Sequence, residues 1–360
     1  PVANLFAVPW ISLAVLPLAL LGTVLLPVPL VGESMLWLAG GLLDGLFRLL
    51  GALALWRPAW LPEPLPWPVW GLLGIGALLL LLPRGMPMRV LGWPLVLLVV
   101  FAPRERLPHG QVEVWQLDVG QGLAFVLRTR HHAMLYDAGP AMGDQDLGAR
   151  IVLPTLRKLG VSSLELMLLS HGDADHAGGA PAVLRGLPVL KVLAGESSKL
   201  PAALQAQPCD SGQRWQWDGV SFSVWRWAGA RDSNQDSCVL LVEASGERLL
   251  LTGDLDAPGE RAWARDWQAT RVDWLQSPHH GSRSSSSQAL LSATAPRGVL
   301  ISRGRHNAFG HPHAEVMERY RTNGIEVFDS AVRGALRLRL GDFREPSGMR
   351  DQPRFWRDPS

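Results

Sequence analysis

The sequence predicts an α-helical membrane segment followed by a layered αββα domain. Three observations carry this expectation. Of 34 basic residues only Arg48, Arg57, Arg84 and Arg89 lie in the first 102 positions, and of 32 acidic residues only Glu33, Asp44 and Glu63, leaving 30 and 29 for the rest. From Gln111 onward, short apolar runs of strand character alternate with helical spacings. Polar residues gather where the apolar runs end, as in mixed layered domains.

Pro1 to Gly32 has no charged residue. That exceeds the roughly 20 residues a helix needs to cross hydrocarbon, so a transmembrane helix is expected. Pro9, Pro17, Pro27 and Pro29 interrupt it. Breakers are tolerated where neighbouring helices satisfy the freed backbone groups, so a bundle is expected rather than a lone anchor. In residues 34–56, Asp44 and Arg48 share one helix face. That suits an interfacial helix, one lining a polar path, or a simple intrahelical ion pair. Residues 57–68 are rich in Pro and Trp, an interfacial loop composition. Val69–Leu82 and Val90–Ala102 are short apolar runs that read as a hairpin. Arg84 and Arg89 in its turn point that turn to the cytoplasm and residues after 103 to the far side. The chain opens on Pro1 without a charged leader or cleavage site, so its N-terminus reads as a cut inside a longer membrane protein.

The second part is expected to hold strands at Ala124–Thr129, Ala133–Tyr136, Leu164–Leu169, Val189–Leu193, Val220–Trp227, Cys238–Glu243, Arg248–Leu251, Val272–Gln276, Val299–Ser302 and Glu326–Phe328. Helices are expected at 148–160, Ala180–Leu187, 257–269, 285–293 and His313–Thr322, with 196–217 irregular. The formal charge of +2 does not by itself argue for a polyanion partner. Cys209 and Cys238 lack CxxC spacing and read as buried free thiols, or as one disulfide if the domain is exported.

Within Leu168 to Gly179 an apolar run ends in Ser170-His171-Gly172-Asp173-Ala174-Asp175-His176, then paired glycines. Imidazole and carboxylate are the ligands of hydrolytic Zn or Mn sites, and a strand end with a Gly-containing loop lets close neighbours converge. Alone, the run also fits an acidic surface turn. Asp137, Asp254, and His279/His280 occupy three further strand ends, and four such ends in one domain argue for a metal centre. Histidines and carboxylates around a shared carboxylate suit a two-metal hydrolytic site.

These residues carry a resemblance. The HxDxDHxGG run, Thr252-Gly253-Asp254 and His279-His280-Gly281-Ser282 resemble the metallo-β-lactamase superfamily and its four-layer αββα fold. Leu117-Asp118-Val119-Gly120-Gln121-Gly122, Asp137-Ala138-Gly139, Ser170–Gly179, Leu251–Asp254, His279–Ser282 and Gly310-His311-Pro312, in that order, resemble the C-terminal domain of the ComEC competence proteins. The Asn4 to Pro9 opening resembles the end of that family's channel domain.

The resemblance implies His171 and Asp173 as ligands of one metal, Asp175 and His176 of the other, and Asp254 as the bridge. One of His279 and His280 closes the second site while the other touches phosphate or acts as an acid. Asp173 stands where the superfamily mostly has His, which favours Mn over Zn, although either fits. No histidine lies in Asp232–Ser237, where the superfamily usually supplies one; Asn234 or Asp236 is the available substitute. Asp137 is expected to orient ligands, and with Asp175, His280 and His311 forms the expected catalytic set. Ser282, Ser284, Asn307 and His311 are expected to bind substrate. Asp118 is expected to fix its turn, and His313 to start a helix. Trp215, Trp217, Trp225 and Trp227 suit either sheet packing or base stacking.

Together these readings imply residues 1–104 as the end of a channel domain, 105–344 as a hydrolase domain and 345–360 as a disordered tail. The implied function is DNA uptake across the inner membrane in natural transformation. A nuclease domain on the periplasmic side would degrade the non-transported strand with one or two divalent ions, Mn or Zn. The implied partners are single-stranded DNA, membrane lipid and other competence proteins, with room for an oligomer. The alternatives are a membrane-anchored hydrolase of a small phosphoester or ester, and a non-catalytic, metal-stabilised gating module.

Overall fold

A computed structural model describes residues 2–55, 67–98, 106–143, 145–267 and 270–351. By internal packing the chain forms two units, Pro1–Leu61 and Pro62–Ser360.

In the first unit, helices Val2–Trp10 and Leu16–Val24 join through a π-turn at Ile11–Val15. The π-turn lies between Pro9 and Pro17, neither of which can donate a backbone hydrogen bond; the wider register carries the helix past them. Helix Val31–Leu55 packs beside it. Gly22 makes the approach close: a Cβ there would lie 3.0 Å from Leu36 Cγ. Trp10 Nε1 donates to Leu42 O at 3.0 Å. Ala3–Val24 and Val31–Leu53 are long and apolar enough to cross a membrane. The helix bearing Asp44 and Arg48 thus has the length of a span. Most of the Pro- and Trp-rich stretch, 57–66, lies outside the described residues.

In the second unit, Trp67–Leu80 and Gly92–Leu97 form the expected apolar hairpin. A Cβ on Gly92 would sit 2.6 Å from Gly76 O, so glycine sets the contact.

The remainder is two facing sheets. One runs in the order Ser347–Gly348, Leu336–Leu340, Val112–Gln116, Phe125–Arg128, Ala133–Tyr136, Leu166–Leu169, Val192–Ala194 and Gln207–Pro208. The other runs Glu326–Asp329, Gly298–Ile301, Trp274–Gln276, Glu247–Leu251, Val239–Ala244, Val220–Trp225 and Arg214–Trp217. The period-two alternation of each strand assigns its side chains to layers. Phe125, Leu127, Met134, Tyr136, Leu166 and Leu168 join Leu240, Val242, Leu249 and Leu251 in a core between the sheets. Val126, Leu135, Met167 and Leu169 face outward against Val152, Leu156, Ala180 and Val183 of helices on that side. Leu241, Leu250, Leu275 and Val299 face Ala262, Trp263, Leu290, Val316 and Tyr320 on the other. The result is the expected αββα stack.

Three local expectations change. Leu336–Leu340, absent from the expected elements, pairs antiparallel with Val112–Gln116. The irregular 196–217 stretch contains Gln207–Pro208 and Arg214–Trp217, both edge strands, where a proline is tolerated. The tail is ordered further than expected: Ser347–Gly348 extends a sheet and Asp351 pairs with Arg333, while 352–360 lie outside the described residues.

The expectation of free thiols is also corrected. Cys209 and Cys238 form a disulfide across 29 residues. Cys209 follows the edge strand of one sheet and Cys238 precedes Val239–Ala244 of the other, so the bond staples the sheets through their shared core.

Candidate metal centre

The strands preceding the polar motifs are parallel within each sheet: Ala133–Tyr136 with Leu166–Leu169, and Glu247–Leu251 with Trp274–Gln276 and Gly298–Ile301. Parallel strands deliver their following loops to one end, the usual place for ligands in such sheets. Asp137, Ser170-His171, Asp254, His279-His280 and Ser302 all follow these strands.

Asp175, His176, Asp254 and His280 converge there, each offering a ligand atom within 4.8 Å of the others. His176 Nε2 lies 3.1 Å from Asp254 Oδ1 and 3.8 Å from Asp175 Oδ2. His280 Nε2 lies 3.4 Å from Asp175 Oδ2 and 3.6 Å from Asp254 Oδ2. The two Nε2 atoms are 3.3 Å apart.

The outer partners of the rings fix what these atoms are. His280 Nδ1 is 2.9 Å from Ser302 O, and a carbonyl only accepts, so Nδ1 carries the proton. His176 Nδ1 is 2.8 Å from Asp137 Oδ2, which likewise accepts. In neutral rings both Nε2 atoms therefore present lone pairs, opposite two carboxylates. Asp254 Oδ1 is buried and has no hydrogen-bond donor. Four acceptors pointing inward with no proton to share is the donor set of a cation site, so the residues fit a divalent metal.

Electrostatics agree. Burial opposes charge on His176, but Asp254 and Asp137 outweigh it and raise its pKa well above the imidazole range. Burial opposes ionised Asp254, yet His176 and His280 hold its pKa well below the carboxylate range. Burial also opposes charge on His280, and Asp254 and Asp175 again raise its pKa. Without a cation the carboxylates lean chiefly on protons at His176 and His280, whose Nε2 atoms face each other. A divalent ion balances them by displacing those protons.

Two glycines make the convergence possible. Gly122, at φ +140°, lets the Asp118–Gly122 loop touch the Asp175 backbone, where a Cβ would come within 2.5 Å of Asp175 O. Gly122 O in turn accepts from Ser302 Oγ at 2.7 Å, tying that loop to the strand end that orients His280. Gly253, at φ +57°, lies against Ser170, leaving no room for a side chain.

Residues 117–305 match the family model described as metallo-beta-lactamase superfamily, and residues 1–86 that described as competence protein. Competence protein ComA of Neisseria gonorrhoeae is 37% identical over 346 residues, covering 95% of this chain and 48% of its own length. The chain belongs to the ComEC-type competence-protein family, with a metallo-β-lactamase domain. Recombination protein 2 of Haemophilus influenzae is 37% identical over 233 residues, covering 64% of this chain and 29% of its own length. The chain thus spans about half or less of these relatives. The metallo-beta-lactamase fold protein YhfI from Bacillus subtilis aligns at 11% identity with a TM-score of 0.40, covering 61% of this chain and 96% of its own.

The metallo-β-lactamase domain distributes the remaining expected residues as follows. His280 joins the four-residue cluster. His279 stands at its mouth, partly exposed, with Nε2 3.6 Å from Asp254 Oδ2. Both adopt left-handed backbone, at φ 56° and 50°, which turns adjacent rings to different places. Asp137 is fully buried behind His176, accepting from Ser170 N at 2.6 Å and Ser170 Oγ at 2.7 Å. It orients a ligand and does not reach the centre.

His171 and Asp173 lie outside the cluster. Asp173 Oδ2 is 3.5 Å from His171 Nε2, which is buried without a hydrogen-bond partner. Asp236, a suggested substitute ligand, is engaged by Arg226 at 2.9 Å. Ser233 is instead the residue of that loop that reaches Asp173, at 3.0 Å, and its single hydroxyl proton is shared between Asp173 and Glu196. Glu196 was not expected. It is buried, accepts from Gly172 N at 3.2 Å, and follows strand Val192–Ala194 through Gly195. The strand-end rule that finds Asp137 and Asp254 would have found it.

Ser282 and Ser284 hydrogen-bond each other at the mouth, with Ser284 Oγ 3.5 Å from His279 Nδ1. His311 stacks on Phe309 and His280 and meets His279 edge-on. Burial, then the neighbouring His280 and His279, lower its pKa to about 4. Asn307 departs from its expected substrate role: both amide hydrogens are spent on Gly304 O and His311 O, and its oxygen accepts from His311 N. It shapes the loop that carries His311. Asp118 anchors Arg350 at 2.6 Å, and His313 stands at the start of helix Ala314–Thr322, as expected.

Proposed function

We propose that this chain is part of an inner-membrane protein that moves DNA into the cell during natural transformation. Its metallo-β-lactamase domain is a nuclease on the strand that is not transported. The observation that carries the catalytic part is the convergence of His176, His280, Asp175 and Asp254 as four acceptors with no proton to share. The competence model over residues 1–86 and the competence relatives support the transport part.

Divalent metal, Mn or Zn, would be held by these four residues, with His171 and Asp173 available to a second ion. When bound, such an ion supplies Lewis acidity and a nucleophilic water near neutral pH. The chain's own groups do the rest. Asp137 and the Ser302 carbonyl keep both imidazoles in the tautomer that points Nε2 inward. Ser282 and Ser284 offer hydroxyls to phosphate oxygens at the mouth. His279, beside Asp254 and Ser284, is placed to hydrogen-bond a phosphate oxygen at the mouth.

The Cys209–Cys238 disulfide supports an oxidising, extracytoplasmic side for the domain, because cytosolic thiols are kept reduced. Residues 1–104 would then be the end of a multi-pass channel and 105–344 the hydrolase. Single-stranded DNA, lipid and other competence proteins would be its partners.

The test is cleavage of single-stranded DNA by the purified chain with Mn or Zn, lost in Asp175→Ala. Ester hydrolysis without DNA cleavage would point to a small-molecule hydrolase, and metal binding without turnover to a gating module.

A further inference from the structure

Trp227 packs against the outer core with only part of its ring covered. Trp225 is buried and bonds Asp266, and Trp215 stacks on Phe222. Trp227, two residues after Trp225, is only half-buried and lines two neighbouring cavities. Gly229 lets the following loop lie against its ring, where a Cβ would be 3.0 Å from Nε1.

The first cavity, about 420 Å³, includes Glu196, Lys199, Arg231 and Asp232 in its wall. It reaches toward the metal centre through the Ser233 hydroxyl, which Glu196 shares with Asp173, the neighbour of His171. The second, about 530 Å³, is walled by Trp227, Pro258, Arg261, Ala264, Arg265 and Ala289. Arg261 and Arg265 are four apart on helix Ala257–Asp266 and therefore on one face, both exposed, and no carboxylate lines that cavity.

A partly exposed indole ring, two guanidinium groups and small or apolar neighbours are the components of a groove for an unpaired polynucleotide. The ring stacks a base, and the arginines contact successive phosphates. We infer that the Trp227–Arg261–Arg265 face binds a single-stranded nucleic acid and leads it past Glu196 and Ser233 to the metal centre. The inference rests on the nuclease reading, to which it adds the track of the strand. Local charge here outweighs the near-neutral balance of the whole chain.

The test is fluorescence anisotropy of a labelled oligothymidylate of about 20 nucleotides with the full chain in detergent. EDTA is present so that nothing is cut, and binding is measured across a salt series. R261Q/R265Q is expected to weaken binding about tenfold and to reduce the slope of log K against log salt by about 1.4, two phosphates at roughly 0.7 each. Trp227→Ala is expected to weaken binding at least fivefold without changing that slope, since stacking on one aromatic is worth at least about this factor. Far-UV circular dichroism checks folding, and the exposed arginine pair serves if Trp227→Ala unfolds. A duplex of the same length should bind more weakly.

Wild-type affinity and slope in both variants overturn the inference. So does equal affinity for duplex, or loss only of retention on phosphatidylglycerol vesicles, which would make the face a membrane contact. Cleavage by the wild type with normal binding by the groove variants would remove the groove and leave the nuclease. Weakened binding by the variants, with no cleavage by the wild type, would do the reverse.

Discussion

The Nε2 atoms of His176 and His280 face each other at 3.3 Å, and each ring's other nitrogen is committed to an acceptor behind it. Two neutral imidazoles so arranged cannot hydrogen-bond each other, and two protonated ones repel. A divalent cation between them and the two carboxylates resolves the contact without a shared proton.

Metal content should follow that geometry. Asp254→Ala and His280→Ala are expected to lower divalent-metal affinity by more than the roughly 10–100-fold typical of an outer partner. Plasma mass spectrometry after dialysis reads the change. His279→Ala should keep its metal and lose turnover.

Asp137→Asn keeps the volume behind His176 but removes the carboxylate that accepts from Nδ1. Metal affinity should fall about 10–100-fold with the fold intact. Equal affinity would show that Ser170 alone orients the ring.

Chelation should destabilise the domain. At a metal concentration about 100-fold above Kd the ion adds about 2.7 kcal/mol to the folded state. Its removal by EDTA should lower the melting temperature by several degrees, and the Asp254→Ala variant should show no such shift.

Removing the disulfide by Cys209→Ser is expected to cost about 2–4 kcal/mol, since it frees a long loop in the unfolded chain and unlinks the sheets. The same loss should appear in the wild type on adding reductant. A melting curve indifferent to reductant would remove the support for an oxidising compartment.

Glu260 gives a pH prediction away from the metal. It is fully buried and accepts from Ser286 N at 2.5 Å and Ser287 N at 2.6 Å. Burial raises its pKa to about 7, against an ordinary value of 4.5, despite those two bonds. Because the folded value is the higher one, the native state holds the proton more tightly. The associated stability is present below pH 4.5 and is lost as pH rises through 7. Melting curves between pH 5 and 8, read against Glu260→Gln, should show this slope in the wild type only, worth about 2–3 kcal/mol.

Much of the centre is legible in the chain because the chemistry recurs at strand ends. Asp137, His176 and Asp254 each follow a run that must be a buried strand, and parallel pairing brings such ends together. Glu196 obeys the same rule behind a short strand. The order of His279 and His280 was not legible, since two left-handed residues in succession decide which ring turns inward. The Cys209–Cys238 bond was not legible either: the partners sit on different sheets, and spacing carries no information about what faces what. Four tryptophans within thirteen positions look alike in sequence. Packing alone separates Trp225, buried in the core, and Trp215, covered by Phe222, from Trp227, which packs on the core and also lines a groove.

The sequence by itself determined the long apolar helices, the αββα layering and the residue types at the candidate metal centre, because periodicity and residue chemistry are local properties. The tertiary structure alone decided that Asp175, His176, Asp254 and His280 form the tight cluster while His171 and Asp173 stand apart. It did so because a cation site depends on where lone pairs point, and that is set by Asp137 and Ser302 behind the rings.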